Sequence, residues 1–330
     1  MEKLRTAIIG CGKVGHLHAR ALAELPESDF CAVFSRSAEK AGSFARQYNV
    51  NAYTDLDAML QKARPDAVLV CTPHPSHAEP TIRAARAGVH VLVEKPLAST
   101  LADCDAMIEA CRASGVRLGT ISQRRWYAPV RRVRRAIDEG KIGRPILGTV
   151  TILGWRDEAY YRSDPWRGSW LREGGGVLVN QAPHQLDIVQ WLMGPIEEVC
   201  GYWANLNHPY IEVEDTAVAI LRFAGGALGN ILVSNSQKPG LYGKVHVHGF
   251  NGSSVGVQTD GGAMFVAGMS GIAEPPINDL WTIPGEEGLL EEWKKEDTAF
   301  FNTVDATTYY HRLQITDFLQ SGCRPNWPRA

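Results

Sequence analysis

The stretch LRTAIIGCGKVGHLHARAL, residues 4–22, decides how the rest of the chain is read. Leu4 to Ile9 is a short apolar run of β type, and from Lys13 to Leu25 apolar residues recur at helical spacing. Between them Gly10, Gly12 and Gly15 form a GxGxxG pattern at the joint of strand and helix. Each glycine has a physical task there. Gly10 permits a tight turn, Gly12 lets backbone approach a pyrophosphate, and Gly15 allows helix and strand to pack closely. Lys13 and Val14 open the helix, whose first N–H groups and partial positive charge suit phosphate oxygens. The pattern implies a dinucleotide site in a strand–turn–helix unit.

Outward from this unit the alternation continues. Phe30 to Ser35, Ala67 to Cys71, His90 to Val93 and Arg117 to Ile121 read as buried strands, with Ala38 to Tyr48, His77 to Ala87 and Leu101 to Ser114 as helices. Thr54, Ser76 and Thr100 stand where helix N-caps are expected. Alternation at this pace predicts a parallel, doubly wound sheet covered on both faces, a Rossmann domain over residues 1–121. After a basic helix, Tyr127 to Gly140, longer alternating runs take over: Ile146 to Leu153, Val199 to Asn205, Thr216 to Phe223, Gly229 to Ser234 and Gly243 to His248. Gly-rich turns separate them, with one clear helix at Ala182 to Met193 and a last one at Tyr310 to Gln320. Residues 122–330 are therefore expected to form an α/β domain with a large, open, mainly antiparallel sheet. Arg131, Arg132, Arg134 and Arg135 share an amphipathic helix with Asp138 and are read as a solvated face.

A length of 330 residues also favours two cores, since single cores of ordinary folds stop growing near ~250 residues. With 45% hydrophobic and 21% charged residues and a formal charge of −2, the composition points to no nucleic-acid or membrane partner. No run approaches the ~20 apolar residues of a bilayer span. The first strand begins too near Met1 for a secretory signal to precede it. Seven scattered cysteines without CxxC spacing indicate neither a disulfide framework nor a zinc site, so no metal is expected and a reducing cytoplasm fits.

In open α/β sheets, ligands lie at the carboxyl ends of the strands. Thr72 and Pro73, followed by His74 and His77, end one predicted strand; Glu94, Lys95 and Pro96 end the next, and Gln123 and Arg124 follow the one after. These are the expected contacts of a nicotinamide or its substrate. The residue about 20 positions past the last glycine normally selects the ribose, because an acid there binds free hydroxyls and repels a 2′-phosphate. Ser35 and Arg36 occupy that place, which favours tolerance of NADP without excluding NAD. Redox chemistry on an alcohol needs a group to handle the hydroxyl proton. Lys95, partly desolvated in a crevice, suits that work, and His184 is a second candidate. Gly174 to Gly176 leads to Asn180, His184 and Asp187; the last two share a helix face, with Asn180 a turn earlier, so a Lys–Asn–His–Asp cluster around a substrate is expected. Trp155, Arg156, Tyr160, Tyr161, Trp166, Arg167 and Trp170 add aromatic faces for the C–H side of a sugar ring and guanidinium donors for its hydroxyls.

Together, GCGKVG at 10–15, CTPHPSH at 71–77, VEKPLA at 93–98 and GGGVLVNQAPHQLDIVQWLMG at 174–194 resemble the glucose-fructose oxidoreductase, inositol dehydrogenase and rhizopine-catabolism family, Gfo/Idh/MocA. The resemblance implies NAD(P)(H) as cofactor and Lys95 as a catalytic residue beside a proline often preceded by a cis peptide. It implies His184 as the partner of Lys95 near the hydride-transferring carbon, and a homo-oligomer (dimer, tetramer or hexamer) mediated by the large sheet. Many members carry Asp where this chain has Asn180; Asn cannot ionise, which leaves proton traffic to Lys95 and His184. Asn at that place resembles the branch acting on ring hydroxyls of glycosides or nucleotide sugars, often at the 3-position. HVHGFNGSSVGVQTDGGAMF, residues 246–265, resembles enzymes of glycoside 3-oxidation, including those acting on C-glycosides. Members usually continue through one more helix, so the end of this chain is expected to be shortened. Three functions fit: a sugar or glycoside dehydrogenase, with a dissociable or a tightly bound cofactor; an NAD-dependent glycoside hydrolase acting by transient oxidation; and a non-catalytic dinucleotide-binding sensor. The presence of both Lys95 and His184 favours the first.

Overall fold

A computed structural model describes residues 3–260 and 274–322, which divide between two compact units, each built on its own sheet. The last five residues of the 246–265 stretch and the end of the chain, expected to be shortened, lie outside the described residues.

The first unit runs through Gln123 and includes the chain from Thr307 onward. Its elements are β1 (Leu4–Ile9), α1 (Lys13–Glu24), β2 (Ser28–Phe34), α2 (Ala38–Tyr48), β3 (Asn51–Tyr53), α3 (Leu56–Ala63), β4 (Ala67–Val70), α4 (Ala78–Arg86), β5 (His90–Val93), α5 (Leu101–Ala113) and β6 (Leu118–Thr120). The strands pair in parallel in the order β3-β2-β1-β4-β5-β6, the doubly wound arrangement expected of strands whose residues are buried on both faces. Ile8, Val33 and Leu69 belong to one apolar layer, and Ile9, Val68 and Val91 to the opposite one. The strand β3 escapes the sequence reading because three residues carry no periodicity.

Two of the three expected caps move. Thr100 does cap α5, accepting from the Asp103 N–H, but α3 is capped by Asp55 rather than Thr54, through the N–H groups of Asp57 and Ala58. The Asp55 carboxylate reaches two orphan donors at once, which a hydroxyl one residue earlier does not. Ser76 lies in a 3-10 turn, His74–Ser76, and α4 starts after it without a side-chain cap.

The second unit spans Arg124 to Ala306. It contains α6 (Ala128–Asp138), β7 (Pro145–Leu153), α7 (Glu158–Arg162), α8 (Trp170–Glu173), α9 (Val177–Asn180), α10 (Pro183–Met193), β8 (Ile196–Ala204), β9 (Thr216–Phe223), β10 (Leu228–Ser234), β11 (Tyr242–Gly249), β12 (Ser254–Asp260), β13 (Ile277–Trp281) and α11 (Leu289–Phe301). Its seven-stranded sheet runs β13-β12-β11-β7-β10-β9-β8, antiparallel throughout except for the parallel pair β7 and β10. The period-two pattern buries Val245 and Val247 of β11 under α10, whose Ile188, Val189 and Leu192 complete the layer. Val199, Val218, Ile220 and Leu228 remain exposed on this sheet.

The solvated-face reading of the arginine cluster is corrected in part. Arg132 forms a bidentate pair with Asp297 of α11 at 2.6 and 2.9 Å and lies over the Trp293 ring, while Arg134 donates to the Trp191 carbonyl and pairs with Asp138. Asp297 is far off in sequence, so its part in the pairing was not legible from the helix alone.

The last helix, α12 (Ala306–Asp317), continues into a π-helical turn at Phe318–Gly322 and packs in the first unit, not the second to which the sequence reading gave residues 122–330. Ile315, Phe318 and Leu319 enter the apolar layer of Ile8 and Leu92, each contributing about 2 kcal/mol of burial. Gln314 bridges the end of β6, accepting from the Ser122 N–H and donating to the Thr120 carbonyl, both at 2.8 Å.

Candidate active site

In the first unit the glycine turn has the shape that a dinucleotide requires. A Cβ on Gly10, whose φ is +116°, would lie 2.7 Å from the Cys71 carbonyl oxygen, and one on Gly15 would lie 2.2 Å from the Gly10 oxygen. Gly12, in contrast, would meet nothing within 4 Å, and it caps α1 without any side-chain hydrogen bond. The absence of a side chain at Gly12 leaves room for a pyrophosphate to approach the first N–H groups of α1, beside Lys13 and Val14. At the end of β2, Ser35 bonds through its N–H to the Tyr53 carbonyl and accepts from the Ser37 N–H, and Arg36 is exposed. Among the described residues, no helix is long and apolar enough to cross a membrane.

The ends of β4 and β5 are tied together by His77. This ring is fully buried, with Nε2 2.8 Å from the Thr72 carbonyl and Nδ1 3.0 Å from the Pro96 carbonyl. Burial lowers its pKa against the pull of those carbonyls. Both nitrogens are engaged by backbone, so His77 braces the two loops rather than presenting a polar atom to a cofactor. Thr72 donates its hydroxyl to the Ser76 carbonyl, which shapes the turn around exposed Pro73.

Glu94 is likewise turned inward. Its Oε1 accepts from Nε2 of buried His18 on α1 at 2.7 Å, and its Oε2 accepts from the Lys95 N–H at 3.1 Å. His311 of α12 approaches the same Oε1 at 3.9 Å and bonds through Nδ1 to the Thr307 carbonyl at 2.6 Å. Burial alone would raise the Glu94 pKa, but the His18 hydrogen bond and the nearby charges of His18, His311 and Lys95 bring it down to about 2. Donor atoms of the three residues lie within 4.8 Å of one another, and the 2.7 Å contact between His18 and Glu94 is a hydrogen bond. Lys95 follows directly, half-buried, before a cis Lys95–Pro96 peptide. Gln123 lies in a 3-10 turn just past β6, half-buried.

In the second unit much of the predicted aromatic stretch does come together. Arg167 lies between Tyr160 and Trp166, with its guanidinium carbon 4.3 and 4.5 Å from the two ring centroids, and Arg156 stacks on Tyr160 at 5.3 Å. The Tyr160 hydroxyl accepts from Arg167 Nη1 at 2.6 Å, Gln181 Nε2 at 2.9 Å and Asn180 Nδ2 at 3.1 Å. Trp155 sits beside His208 at a ring separation of 5.7 Å, and His208 is itself held between Asp215 and the Arg156 carbonyl. His184 is buried in the first turn of α10.

Two expected substrate contacts are instead committed to other partners. Arg124 is bound to Asp260 of β12 and reaches Thr259, and Asp187 forms a bidentate pair with Arg125 at 2.7 and 2.6 Å. A guanidinium already in a buried carboxylate pair has little left to offer a sugar hydroxyl. The sequence reading also missed Glu173 and Glu214. Glu173 is buried, accepts from the Gly168 N–H at 2.5 Å and from the Asn180 amide, and has its pKa raised to about 6. Burial is the main cause, with the hydrogen bonds and Arg167 pulling down and Glu214 pushing up. Glu214 holds the start of α9 by accepting from the Gly176 and Leu178 N–H groups. A Cβ on Gly176 would lie 1.8 Å from the Glu214 carbonyl oxygen, which explains one member of the glycine triplet. An acid directly before three glycines was the available signal for Glu173.

Comparison with known proteins identifies the family. Residues 4–121 match the model described as the oxidoreductase family with an NAD-binding Rossmann fold, and residues 130–255 match the GFO/IDH/MocA C-terminal domain. The chain belongs to the Gfo/Idh/MocA oxidoreductase family. It is an NAD(P)-dependent dehydrogenase of the sugar-acting kind. It is 32% identical to a myo-inositol 2-dehydrogenase of Thermotoga maritima over 76% of this chain and 74% of that protein. It is 31% identical to a 1,5-anhydro-D-fructose reductase of Ensifer adhaerens over 76% and 75%. Among solved structures, the WlbA dehydrogenase of Bordetella pertussis in complex with NADH and UDP-GlcNAcA is similar at a TM-score of 0.82 and 30% identity, covering 97% of this chain and 88% of that one.

Proposed function

We propose that the protein interconverts a ring hydroxyl of a sugar or glycoside, at the 3-position, with the corresponding ketone, using NAD(P)(H). The observation that carries this reading is the pairing, within one parallel sheet, of an open glycine turn after β1 and a half-buried Lys95 after β5. Both lie at strand carboxyl ends, where ligands of this architecture bind. Gly10, Gly12, Lys13, Val14 and Gly15 would hold the pyrophosphate, with Ser35 and Arg36 at the ribose, where the lack of an acid favours acceptance of NADP. The nicotinamide, when bound, supplies the hydride acceptor or donor. The protein's own work is on the other proton. Lys95 takes the hydroxyl proton as the carbonyl forms, and His184 is the second candidate for that work. Glu94, locked by His18 and bonded to the Lys95 N–H, holds the lysine backbone at the strand end. Trp166, with Arg167 and buried Tyr160 packed behind it, supplies a sugar contact, and a WlbA-type nucleotide sugar or an aryl glycoside is the substrate class to try first.

The test is turnover of a panel of free sugars, nucleotide sugars and aryl glycosides with NAD+ or NADP+, followed at 340 nm and by mass spectrometry of the product. Lys95→Ala is expected to lower kcat by on the order of 10²–10⁴-fold while dinucleotide binding persists. Unchanged turnover in that variant would sink the assignment. Aglycone release would point instead to hydrolysis by transient oxidation, sugar-to-sugar exchange without added cofactor to a tightly held dinucleotide, and binding without any turnover to a sensor. The apolar residues exposed on the second sheet, Val199, Val218, Ile220 and Leu228, fit a homo-oligomer in which a second copy covers them. Sedimentation of wild type against Ile220→Lys tests it.

A further inference from the structure

The Asn180 amide has its two hydrogens engaged on one side. One goes to Glu173 Oε1 and the other to the Tyr160 hydroxyl at 3.1 Å. The reverse orientation would set the Asn180 carbonyl oxygen against the Glu173 carboxylate, two acceptors with no proton between them, so the network decides which way the amide faces. Any further hydrogen bond of the Asn180 side chain is therefore one it accepts, at Oδ1. Glu173 is itself immobilised: its second oxygen takes the Gly168 N–H at 2.5 Å, and the residue is 1% exposed.

We propose that Glu173 is the positioning residue of the substrate site: held by the Gly168 N–H, it pins the Asn180 amide so that this side chain offers any further partner only its Oδ1 acceptor. This deepens the proposed function and rests on it. The arrangement explains why an acid is absent at 180. Two carboxylates at this distance cannot both ionise and would have to share a proton, as coupled acid pairs do. Position 180 can carry the charge or position 173 can, but not both. An amide facing a carboxylate satisfies the pair in either order.

The groups that face Glu173 are Arg167 from the loop before α8, Glu214 ahead of β9, and Tyr160 and Tyr161 of α7. Arg167 favours the carboxylate and Glu214 opposes it, while burial raises the carboxyl pKa to about 6. Ionised Glu173 only accepts, from the Asn180 amide and the Gly168 N–H; once protonated it carries a hydroxyl that can donate to Asn180 Oδ1, so the amide is no longer held one way round. Activity through Asn180 should thus decline as pH falls through about 6.

The experiment is a double-variant cycle in the full chain: Glu173→Gln, Asn180→Asp and the two together, each read by kcat/KM against pH and by Tm against pH. Asn180→Asp alone is expected to lose on the order of ten-fold or more in kcat/KM at pH 8 and to lose Tm there, with the Tm deficit shrinking on acidification as the pair takes up a proton. Glu173→Gln is expected to remove Glu173's part of the acid limb near pH 6, leaving only what other groups common to both proteins contribute. The double variant, with the charge exchanged for the amide, should recover to within about three-fold of wild type. Multiplicative losses in the double variant, or an acid limb unaltered by Glu173→Gln, would overturn the proposal. Should no alcohol be oxidised by any form, the Tm cycle still reads the pairing: coupling without turnover refutes the proposed function alone, and turnover without coupling refutes the role of Glu173 alone.

Discussion

Glu94 and Glu173 are both carboxylates taken out of water, one in each unit, and their chemistry diverges. Glu94 meets two imidazoles and the lysine that follows it, and its pKa falls to about 2; Glu173 meets an amide, a backbone N–H, the charge of Arg167 and an opposing acid, Glu214, and its pKa rises to about 6. Burial pushes both the same way, so the difference lies in the charge of the partners. A carboxylate hydrogen-bonded to imidazole is held ionised as a strut, whereas one hydrogen-bonded to neutral donors, with Arg167 and Glu214 acting in opposite directions, stays near the proton.

The strongest way to break this contrast is to remove the charge at Glu94. Glu94→Gln leaves His18 buried beside a neutral amide, and the first unit should lose about 3 kcal/mol or more of stability, seen as a lower calorimetric Tm. An unchanged Tm would mean that the ion pair holds nothing in place. Next comes pH. Glu94 titrates lower folded than its usual 4.5, so its contribution is complete above pH 4.5 and fades as pH falls toward 2, by about 3 kcal/mol in all. Glu173 has the opposite sign: the folded state holds its proton more tightly, so stability is greatest below pH 4.5 and declines by about 2 kcal/mol as pH rises through 6. Glu173→Gln should flatten the 4.5–6 slope and leave the 2–4.5 slope intact in a Tm-versus-pH series. The smallest effect sharpens the comparison with an exposed carboxylate. Asp55→Ala should cost about 1 kcal/mol through the lost α3 cap, with Thr54→Ala nearly silent, measured by denaturant unfolding.

How far the primary structure could be read varied with how local each cause is. GxGxxG between a buried run and a helix announces the first sheet because turn, packing and phosphate approach all act within six residues, from Gly10 to Gly15. Strand periodicity likewise anticipated most of β7 to β11, but gave no warning of β12, β13 or α11. The helix α12 was assigned to the wrong unit because its docking depends on Ile315, Phe318 and Leu319 finding a layer made some 200 or more residues earlier.

The candidate site divides along the same line. Lys95, His184 and Asn180 stand in motifs that can be read from residue type and order alone. That Arg124 and Asp187 are committed to Asp260 and Arg125 depends on pairings between separate segments, as does the inward turn of Glu94 toward His18. Local sequence determined the sheet-and-helix plan, the dinucleotide turn and the family, because backbone geometry and periodic burial are short-range. Only tertiary structure decided which buried carboxylate keeps its charge, since that depends on which donors the fold brings within about 3 Å of it.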